Sequence, residues 1–358
     1  MILDENTLGD LLSTIDSAFD VVPGAEICIE GSPLTITAPD GEDKLRFLKA
    51  GGVTRLSFGV QSFDDAVLKY AARGYRRDVA IRATQLASAV FDNWNLDLIQ
   101  GLYKGSPFET WQNLRVVAEI RPPHLTWYHG RFANRPQGDW YQSQARYAAF
   151  EDEQETLLGR MLIWQEMAAI GYHQTDGNRF VRDQRHVDPF KQIRTSASSN
   201  LLGLGTSAYS HVGGRAGSGT FGYLFRNDPD IRSYIDHMSA TGLPIVSGRV
   251  IDDKEMLATS YVTGLRNGRI EILELADIRR REPVLSAHYD RLVRSLRDLD
   301  VLDQIGNQQG ETRLRLTGLG RLFEDETLAL FFSPSVKSAL EPDAPRQQVQ
   351  ASRIRVSA

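Results

Sequence analysis

Short apolar runs alternate with longer amphipathic segments over the first 130 residues of the chain. The short runs favour extended backbone and predict β-strands. They lie roughly 30–40 residues apart, which is the length of one strand–helix unit with its loops. The predicted strands are residues 25–29, 54–60, 94–99 and 125–129.

The segments between these strands predict helices, because their apolar residues recur every three or four positions. Residues 44–50, 79–91 and 107–120 follow this pattern. Gly51 ends the first of these segments and Pro122 follows the last. Repeated strand–helix units predict a parallel sheet, either a barrel or an open doubly wound sheet.

The second half of the chain has a different pattern. Its clearest helix covers residues 156–170, where Leu157, Met161 and Trp164 share one apolar face. Later the strand signal fades into a helical pattern and returns at residues 312–316. We expect a parallel α/β part over residues 1–245, a small helical or winged-helix domain over 246–340, and a disordered tail over 341–358.

The chain has 358 residues and a formal charge of −5. This mild acidity argues against nucleic-acid binding driven by bulk charge, although a local basic patch could hide in the average. The sequence shows no secretory signal, and it has no run of about 18 apolar residues that would predict a membrane span. We therefore expect a cytoplasmic protein that has no membrane span and does not bind nucleic acid, and whose partner is a small-molecule substrate.

One cysteine, Cys28, is present in the sequence. Disulfide frameworks, cysteine-based zinc sites and iron–sulfur clusters each need two or more cysteines. The thiolates of this chain alone therefore cannot form any of them. The seven histidines lack the H-E-x-x-H and i, i+4 spacings of zinc sites, so we predict no metal site.

Polar residues accompany each predicted strand near its carboxyl end. They are Glu30, Gln61, Asp97, and His129 with Arg131. In parallel α/β folds the carboxyl ends of the strands meet at the face where ligands bind. We expect these side chains to converge on one site; the alternative is that the strands simply exit into solvent.

Two further features are candidates for ligand binding. Arg73 follows the helix predicted after Gln61 and could bind a carboxylate or a phosphate, or lie at a solvated helix end. Gly203 and Gly205 fit neither a dinucleotide fingerprint nor a P-loop. They allow either the close approach of a flat ligand or a tight turn between packed elements.

Five segments occur in an order that resembles a known family. The match runs with interruptions from about residue 8 to residue 330. It resembles radical S-adenosylmethionine (SAM) enzymes of the oxygen-independent coproporphyrinogen III oxidase type, a group that also contains heme chaperones and related C-methyltransferases. The segments are residues 25–33 (AEICIEGSP), 55–65 (RLSFGVQSFDD) with 72–74 (ARG), 95–102 (NLDLIQGL), 202–210 (LGLGTSAYS) and 316–322 (LTGLGRL).

The resemblance implies SAM contacts at Glu30, Gln61, Arg73 and Asp97. These residue types fit SAM, because carboxylates bind its ammonium or ribose hydroxyls, an arginine binds its carboxylate, and an amide orients it. The resemblance also implies that the glycine segment closes over SAM or over a second SAM molecule. The further candidates are Gly203, Gly205 and Ala208 for the cofactor, and His129, Arg131 and Tyr209 for a substrate such as a tetrapyrrole.

The chain departs from the family at the cluster. The family has a C-x-x-x-C-x-x-C motif after its first strand, and those thiolates hold a 4Fe–4S cluster that cleaves SAM. The present sequence matches from the helix beyond the second strand onward. The resemblance therefore implies a partial parallel (β/α) barrel that lacks its first strands, with a 4Fe–4S cluster only if a further N-terminal segment exists.

Three hypotheses remain open. In the first, the native protein is a complete radical enzyme, either a tetrapyrrole oxidoreductase or a methyltransferase, and this sequence is truncated. In the second, the chain is a relative without a cluster. It then binds SAM or a tetrapyrrole and does non-radical methyl transfer, carrier or regulatory work. In the third, the chain is a scaffold with only an interaction role.

Overall fold

The computed structural model describes residues 3–102, 106–129, 153–183, 185, 199–213, 222–268, 270–271, 275–306 and 312–340. The chain forms two compact units, residues 1–188 and 189–358, and each is described by itself. The domain boundary expected after residue 245 falls at the start of a strand of the second unit. The predicted tail over 341–358 lies outside the described residues.

The first unit contains a six-stranded sheet in which the four predicted strands are neighbours. These four strands run parallel, β6 runs antiparallel to β4 and to β5, and the sheet order is β1-β2-β3-β4-β6-β5. The fold is thus α/β with a mostly parallel sheet over the described residues, as predicted. The strands are β1 (Cys28–Gly31), β2 (Arg55–Gln61), β3 (Trp94–Gln100), β4 (His124–His129), β5 (His173–Asp176) and β6 (Arg179–Val181).

Seven helices are described in this unit. Aspartate or serine side chains cap the amino ends of three of them, α1, α2 and α4, by accepting backbone N–H bonds. The helices are α1 (Glu5–Ala18), α2 (Pro33–Ile36), α3 (Gly41–Ala50), α4 (Asp65–Tyr70), α5 (Arg77–Val90), α6 (Ser106–Ile120) and α7 (Glu153–Ala169).

The two faces of the sheet differ in polarity. Successive side chains of a strand point to opposite faces, so each strand sorts its residues by alternation. One face packs with the helices in a continuous apolar core that includes Leu56, Phe58, Leu96 and Trp127. The alternate positions place polar side chains on the opposite face, namely Ser57, Asn95, Asp97 and Thr126. This polar face is where a site can form.

Helix α7 buries a different stripe from the one expected. Met161 and Trp164 are exposed, whereas Ile163 and Met167 are buried in the core. The reason lies one turn earlier, where a Cβ on Gly159 would come within 2.0 Å of Gln100 Nε2. The helix therefore approaches the sheet through Gly159, Ile163 and Met167, which are spaced four residues apart. The spacing of apolar residues alone did not show which face of α7 is buried.

The second unit begins with a three-stranded antiparallel sheet and continues into a helical part. A second small sheet has the order β10-β12-β11. Together with α9, α10 and α11 this is the arrangement of a winged helix, and its core contains Tyr261, Tyr289 and Phe331. The elements are β7 (Tyr209–Gly213), β8 (Gly222–Asn227), α8 (Ile231–Thr241), β9 (Ile245–Ile251), α9 (Asp253–Arg266), β10 (Ile270–Glu271), α10 (Ala276–Arg281), α11 (Pro283–Asp298), β11 (Leu302–Gly306), β12 (Thr312–Leu316), α12 (Gly318–Leu322), α13 (Glu324–Leu330) and α14 (Pro334–Leu340).

In the parts of the chain that the structure describes, every helix is too short or too polar to cross a lipid bilayer.

Candidate functional site

Asp97 lies at the centre of the polar face. Its Oδ1 accepts a hydrogen bond from Asn95 Nδ2 at 2.7 Å, and the same nitrogen lies 3.0 Å from Ser57 Oγ. Thr126 Oγ1 donates to Asn95 Oδ1 at 3.1 Å, which orients that amide. Burial raises the pKa of Asp97 and the nearby charge of Glu30 raises it further, while hydrogen bonds from Asn95 and Thr126 oppose the rise. A cationic ligand group beside Asp97 would relieve this cost.

Gln61 adopts an unusual backbone conformation at the end of β2. Its φ is 71°, and the register with β3 shifts between Gly59 and Gln61. The shift re-aims the side chain, which is only 8% exposed. Gln61 Oε1 is buried and has no hydrogen-bond partner among the described residues. A buried amide oxygen without a partner is costly, and strain of this kind is common at ligand sites.

Gly59 provides the space that the Gln61 amide occupies. A Cβ at this position would lie 2.0 Å from Gln61 Nε2 and 3.8 Å from Arg73 Nη2. The amide of Gln61 and the guanidinium of Arg73 therefore meet over one glycine. We call the Gln61 amide and the Arg73 guanidinium the cradle. A side chain at residue 59 would take the place of the Gln61 amide.

Arg73 reaches this position because the chain doubles back to β2. Asp64 caps α4 by accepting from the backbone of Ala66 and Val67. After the helix, Tyr75 Oη donates to the carbonyl of Gly59 at 3.1 Å and to that of Val60 at 2.9 Å. Burial raises the pKa of Tyr75 to about 12, so its hydroxyl stays a donor. The loop after α4 is thus tied to the end of the strand that carries Gln61.

Glu30 lies on β1, opposite Ser57 of the neighbouring strand. It is exposed, and it acts on Asp97 through its charge. The structure therefore arranges the four residues implied by the resemblance in two groups. Glu30 and Asp97 form the carboxylate group, and Gln61 and Arg73 form the cradle over Gly59.

His129 takes part in a chain of contacts at the end of β3. Its Nδ1 lies 3.0 Å from Gln100 Oε1, and Gln100 Nε2 donates to the carbonyl of Thr156 at 2.9 Å. His129 thus helps to tie the strand ends to α7, and its role in substrate binding stays a prediction. Arg131 lies outside the described residues.

The glycine segment belongs to the second unit and forms a closed turn. A Cβ on Gly203 would lie 2.4 Å from the carbonyl oxygen of Tyr209, and Gly205 has a φ of 96°. Asn227 Nδ2 donates to the carbonyls of both glycines, at 3.1 and 3.0 Å. The backbone N–H of Asn227 donates to the carbonyl of Ala208 at 2.9 Å. These contacts account for both glycines as turn residues, and the cofactor contacts implied for Gly203, Gly205 and Ala208 stay predictions.

Tyr209 begins β7 and is exposed, with the Arg226 guanidinium 5.1 Å from the centre of its ring. The predicted contact between Tyr209 and a substrate stays a prediction.

Two groups on the first unit were not among the predicted site residues. Tyr128 and Arg179 lie beside Asp97, and Arg179 hydrogen-bonds Tyr128. The alternation along β4 placed Tyr128 on the polar face, but no signal predicted β6, which carries Arg179. The second group is the buried pair of Ser62 and Glu109, joined at 2.6 Å. The only feature of the sequence that indicated this pair is Glu109, a polar residue on the buried face of α6.

The residues described do not fit an iron–sulfur cluster. Cys28 is exposed on β1. Within the described ranges, no group of three or more His, Cys, Asp or Glu side chains is placed to hold a metal ion. The polar groups present suit SAM better, since they include two carboxylates, the Arg73 guanidinium and a buried Gln61 oxygen that lacks a partner in the described residues.

Comparisons with known proteins show which sequences and structures this chain resembles. Residues 4–118 match the profile of the Radical SAM superfamily. The heme chaperone HemW of Escherichia coli is 38% identical over 119 residues, which is 33% of this chain and 30% of that protein. HemW of Bacillus subtilis is 24% identical over 245 residues, covering 68% of this chain and 60% of that protein. The oxygen-independent coproporphyrinogen III oxidase of Bradyrhizobium diazoefficiens is 25% identical over 273 residues, covering 73% and 57%.

The chain spans at most 60% of the length of these relatives. The structure of coproporphyrinogen III oxidase (HemN) from Escherichia coli, described as a radical SAM enzyme, superposes with a TM-score of 0.73 at 22% identity. The superposition covers 92% of this chain and 74% of that one, and at this identity it shows the fold alone. The family profile over residues 4–118, the relatives and the fold agree, and each shows that the chain is similar to radical SAM proteins of the HemN and HemW type.

Proposed function

We propose that this chain binds SAM at the carboxyl ends of β1, β2 and β3 and serves as the SAM-binding part of a HemN- or HemW-like enzyme. The observation that carries the proposal is the Gln61 amide oxygen, which is buried without a partner in the described residues, in a side chain whose amide nitrogen meets Arg73 over Gly59. A ligand that donates a hydrogen bond to this oxygen and presents a carboxylate to Arg73 satisfies both groups.

Each residue has a distinct role in this proposal. Arg73 binds the carboxylate of the methionyl part of SAM, because a guanidinium forms two parallel hydrogen bonds to a carboxylate. Asp97 and Glu30 bind the ammonium group or the ribose hydroxyls. Burial raises the pKa of Asp97 because the carboxylate loses contact with water. A bound cation stabilises the carboxylate in place of that water, so the pKa falls again. Gln61 orients the ligand through its amide.

Radical SAM proteins use a 4Fe–4S cluster to cleave SAM. This chain has one cysteine, so its own thiolates do not supply the cluster motif. We propose that radical chemistry requires a polypeptide segment with C-x-x-x-C-x-x-C in addition to these residues. Iron analysis after anaerobic reconstitution of a chain extended by such a segment is expected to show a cluster. An extended chain that takes up no iron would contradict this part of the proposal.

A tetrapyrrole is the substrate class that we propose. The relatives are named as a heme chaperone and as an oxidase of coproporphyrinogen III. Tetrapyrroles of this kind carry carboxylate groups, for which His129, Arg131 and Tyr209 are the candidate partners. C-methylation stays an alternative reaction on the same SAM site. Heme and coproporphyrin III binding, measured by absorbance titration, tests the substrate class separately from SAM binding.

The experiment that tests SAM binding is calorimetry with this chain and its Arg73→Ala variant. We expect the variant to bind SAM at least tenfold more weakly, since removal of a charged partner typically costs about 1.5–3 kcal/mol. Arg82→Ala is the matched control, because Arg82 is an exposed arginine on α5 outside the cradle. Equal affinities for all three proteins would overturn the proposal.

A second candidate function follows from the cysteine count. A chain with the cradle residues but a single cysteine is suited to bind SAM or a tetrapyrrole without radical chemistry. Such a protein would transfer a methyl group by a polar reaction, or act as a carrier or regulator. Methyl transfer from labelled SAM without iron would favour this function. Failure to bind either ligand would favour the scaffold hypothesis.

A further inference from the structure

Helix α6 holds the loop that follows β2 through a buried polar cluster. Ser62 Oγ donates to Glu109 Oε1 at 2.6 Å, and Asn113 Nδ2 donates to the same oxygen at 2.7 Å. Asn113 Oδ1 accepts from the backbone N–H of Phe63 at 2.8 Å. The side chains of Ser62, Glu109 and Asn113 are all buried. We call these three residues the loop clamp.

The loop clamp holds the start of the segment that joins the two halves of the cradle along the chain. Ser62 directly follows Gln61, whose left-handed backbone must be held in place by its surroundings. The backbone N–H of Asp64 donates to Ser62 Oγ at 3.1 Å, and Asp64 caps the helix that precedes Arg73. A change in the loop clamp therefore reaches Gln61 on one side and Arg73 on the other.

The geometry points to Glu109 as a positioning residue that fixes the loop from Ser62 to Asp64 and so aims Gln61 and Arg73 at the ligand. The inference rests on the proposed SAM-binding function, and it goes beyond it by assigning a role to a residue that does not touch the ligand. Glu109 acts as an acceptor: its Oε1 receives two hydrogen bonds. A glutamine can keep this acceptor, whereas an alanine removes it.

The shift of the Glu109 pKa favours the neutral form, and an acceptor role does not depend on the charge. Burial raises its pKa, and the charge of Asp64 raises it further, against the hydrogen bonds from Ser62 and Asn113. A carboxyl group that is protonated on Oε2 still accepts at Oε1. The Glu109→Gln variant is therefore the conservative replacement that tests the acceptor role.

Two measurements on the full chain test the inference. Hydrogen exchange of the free protein reads the loop directly, because the amides of Phe63 and Asp64 are held by the loop clamp. Calorimetry with SAM reads the cradle. For Glu109→Ala we expect at least tenfold faster exchange at these two amides and at least tenfold weaker SAM binding. For Glu109→Gln we expect both values to stay within threefold of the wild type.

Two further variants keep the test decisive. Ser62→Ala removes only one hydroxyl and is expected to reproduce the effect of Glu109→Ala if the latter fails to fold. Glu119→Ala is the matched control, because it removes an exposed glutamate from the same helix. It is expected to change neither measurement.

The outcomes separate the inference from the proposed function. Unchanged exchange at Phe63 and Asp64 in a folded Ser62→Ala or Glu109→Ala protein overturns the inference, and so does faster exchange with unchanged SAM affinity. A Glu109→Gln variant as defective as Glu109→Ala also overturns the acceptor role. Wild-type protein that fails to bind SAM overturns the proposed function, and with it a positioning role toward SAM.

Discussion

At the scale of single residues, Gly59 decides whether Gln61 can occupy the cradle. A Cβ at residue 59 would come within 2.0 Å of Gln61 Nε2, which is the end of a flexible side chain and moves without displacing backbone. We expect Gly59→Ala to change the free energy of unfolding by less than about 1 kcal/mol. SAM affinity should fall about tenfold or more because the amide leaves its place. Calorimetry beside thermal unfolding checks both values, and an unchanged affinity would contradict the geometry.

The role that we propose for Asp97 in binding SAM conflicts with its effect on stability. Its pKa is raised in the folded chain, so the folded state binds the proton more tightly than the unfolded state does. The stability that Asp97 contributes is therefore present at low pH and is lost as pH rises from the ordinary carboxyl value through the raised one. Asp97→Asn removes the buried charge and can keep the acceptor for Asn95.

The pH dependence of Asp97→Asn gives the test. We expect the melting temperature of the variant to equal that of the wild type at low pH and to exceed it increasingly toward neutral pH. SAM affinity at neutral pH should fall by about tenfold or more, as expected when a charged partner is lost. A variant that is less stable than the wild type at neutral pH would show that the Asp97 charge stabilises the fold.

At the scale of elements, the packing of α7 against the sheet depends on Gly159. Alanine there would favour the helix by its propensity, but its Cβ would lie 2.0 Å from Gln100 Nε2 and 2.7 Å from Gln100 Cδ. Gln100 is buried and donates to the carbonyl of Thr156. We therefore expect Gly159→Ala to destabilise the protein by about 1–3 kcal/mol in urea unfolding, as overpacked cores do.

A second glycine provides the control for this prediction. Gly9 lies on α1, and a Cβ there would meet Phe47 Cζ at an ordinary contact distance of 3.4 Å. Gly9→Ala is expected to be neutral or to stabilise the protein by up to about 1 kcal/mol through helix propensity. If both variants stabilised the protein, helix propensity and not packing would control α7.

At the scale of the whole molecule, a hydrogen-exchange footprint of SAM on the full chain separates the two proposed SAM segments. Binding at the cradle should slow exchange over residues 59–75 and 95–97 of the first unit. Protection of residues 203–210 in the second unit would support the implied contacts of the glycine segment. Exchange there that is unchanged while the first unit is protected would leave that segment as the turn built by Asn227.

The sequence alone predicted the parallel part of the fold well. Four strands were expected and all four are present, because buried parallel strands are short apolar runs between helices of 3.6-residue period. The first was expected at residues 25–29 and lies at Cys28–Gly31. The pairing with β2 decides this boundary, and pairing is not visible in one strand alone. Strands β5 and β6 were not predicted, since each has four residues or fewer.

The sequence also indicated the candidate site residues. Glu30, Gln61, Arg73 and Asp97 were predicted as SAM contacts from strand ends and from motif order, because the type and order of residues are properties of the chain itself. The tertiary structure decided what these residues do to one another. The left-handed Gln61, the cradle over Gly59, the raised pKa of Asp97 and the buried contact between Ser62 and Glu109 all join residues separated along the chain or depend on burial. Packing determines such distances and the exclusion of water, and a one-dimensional pattern contains neither.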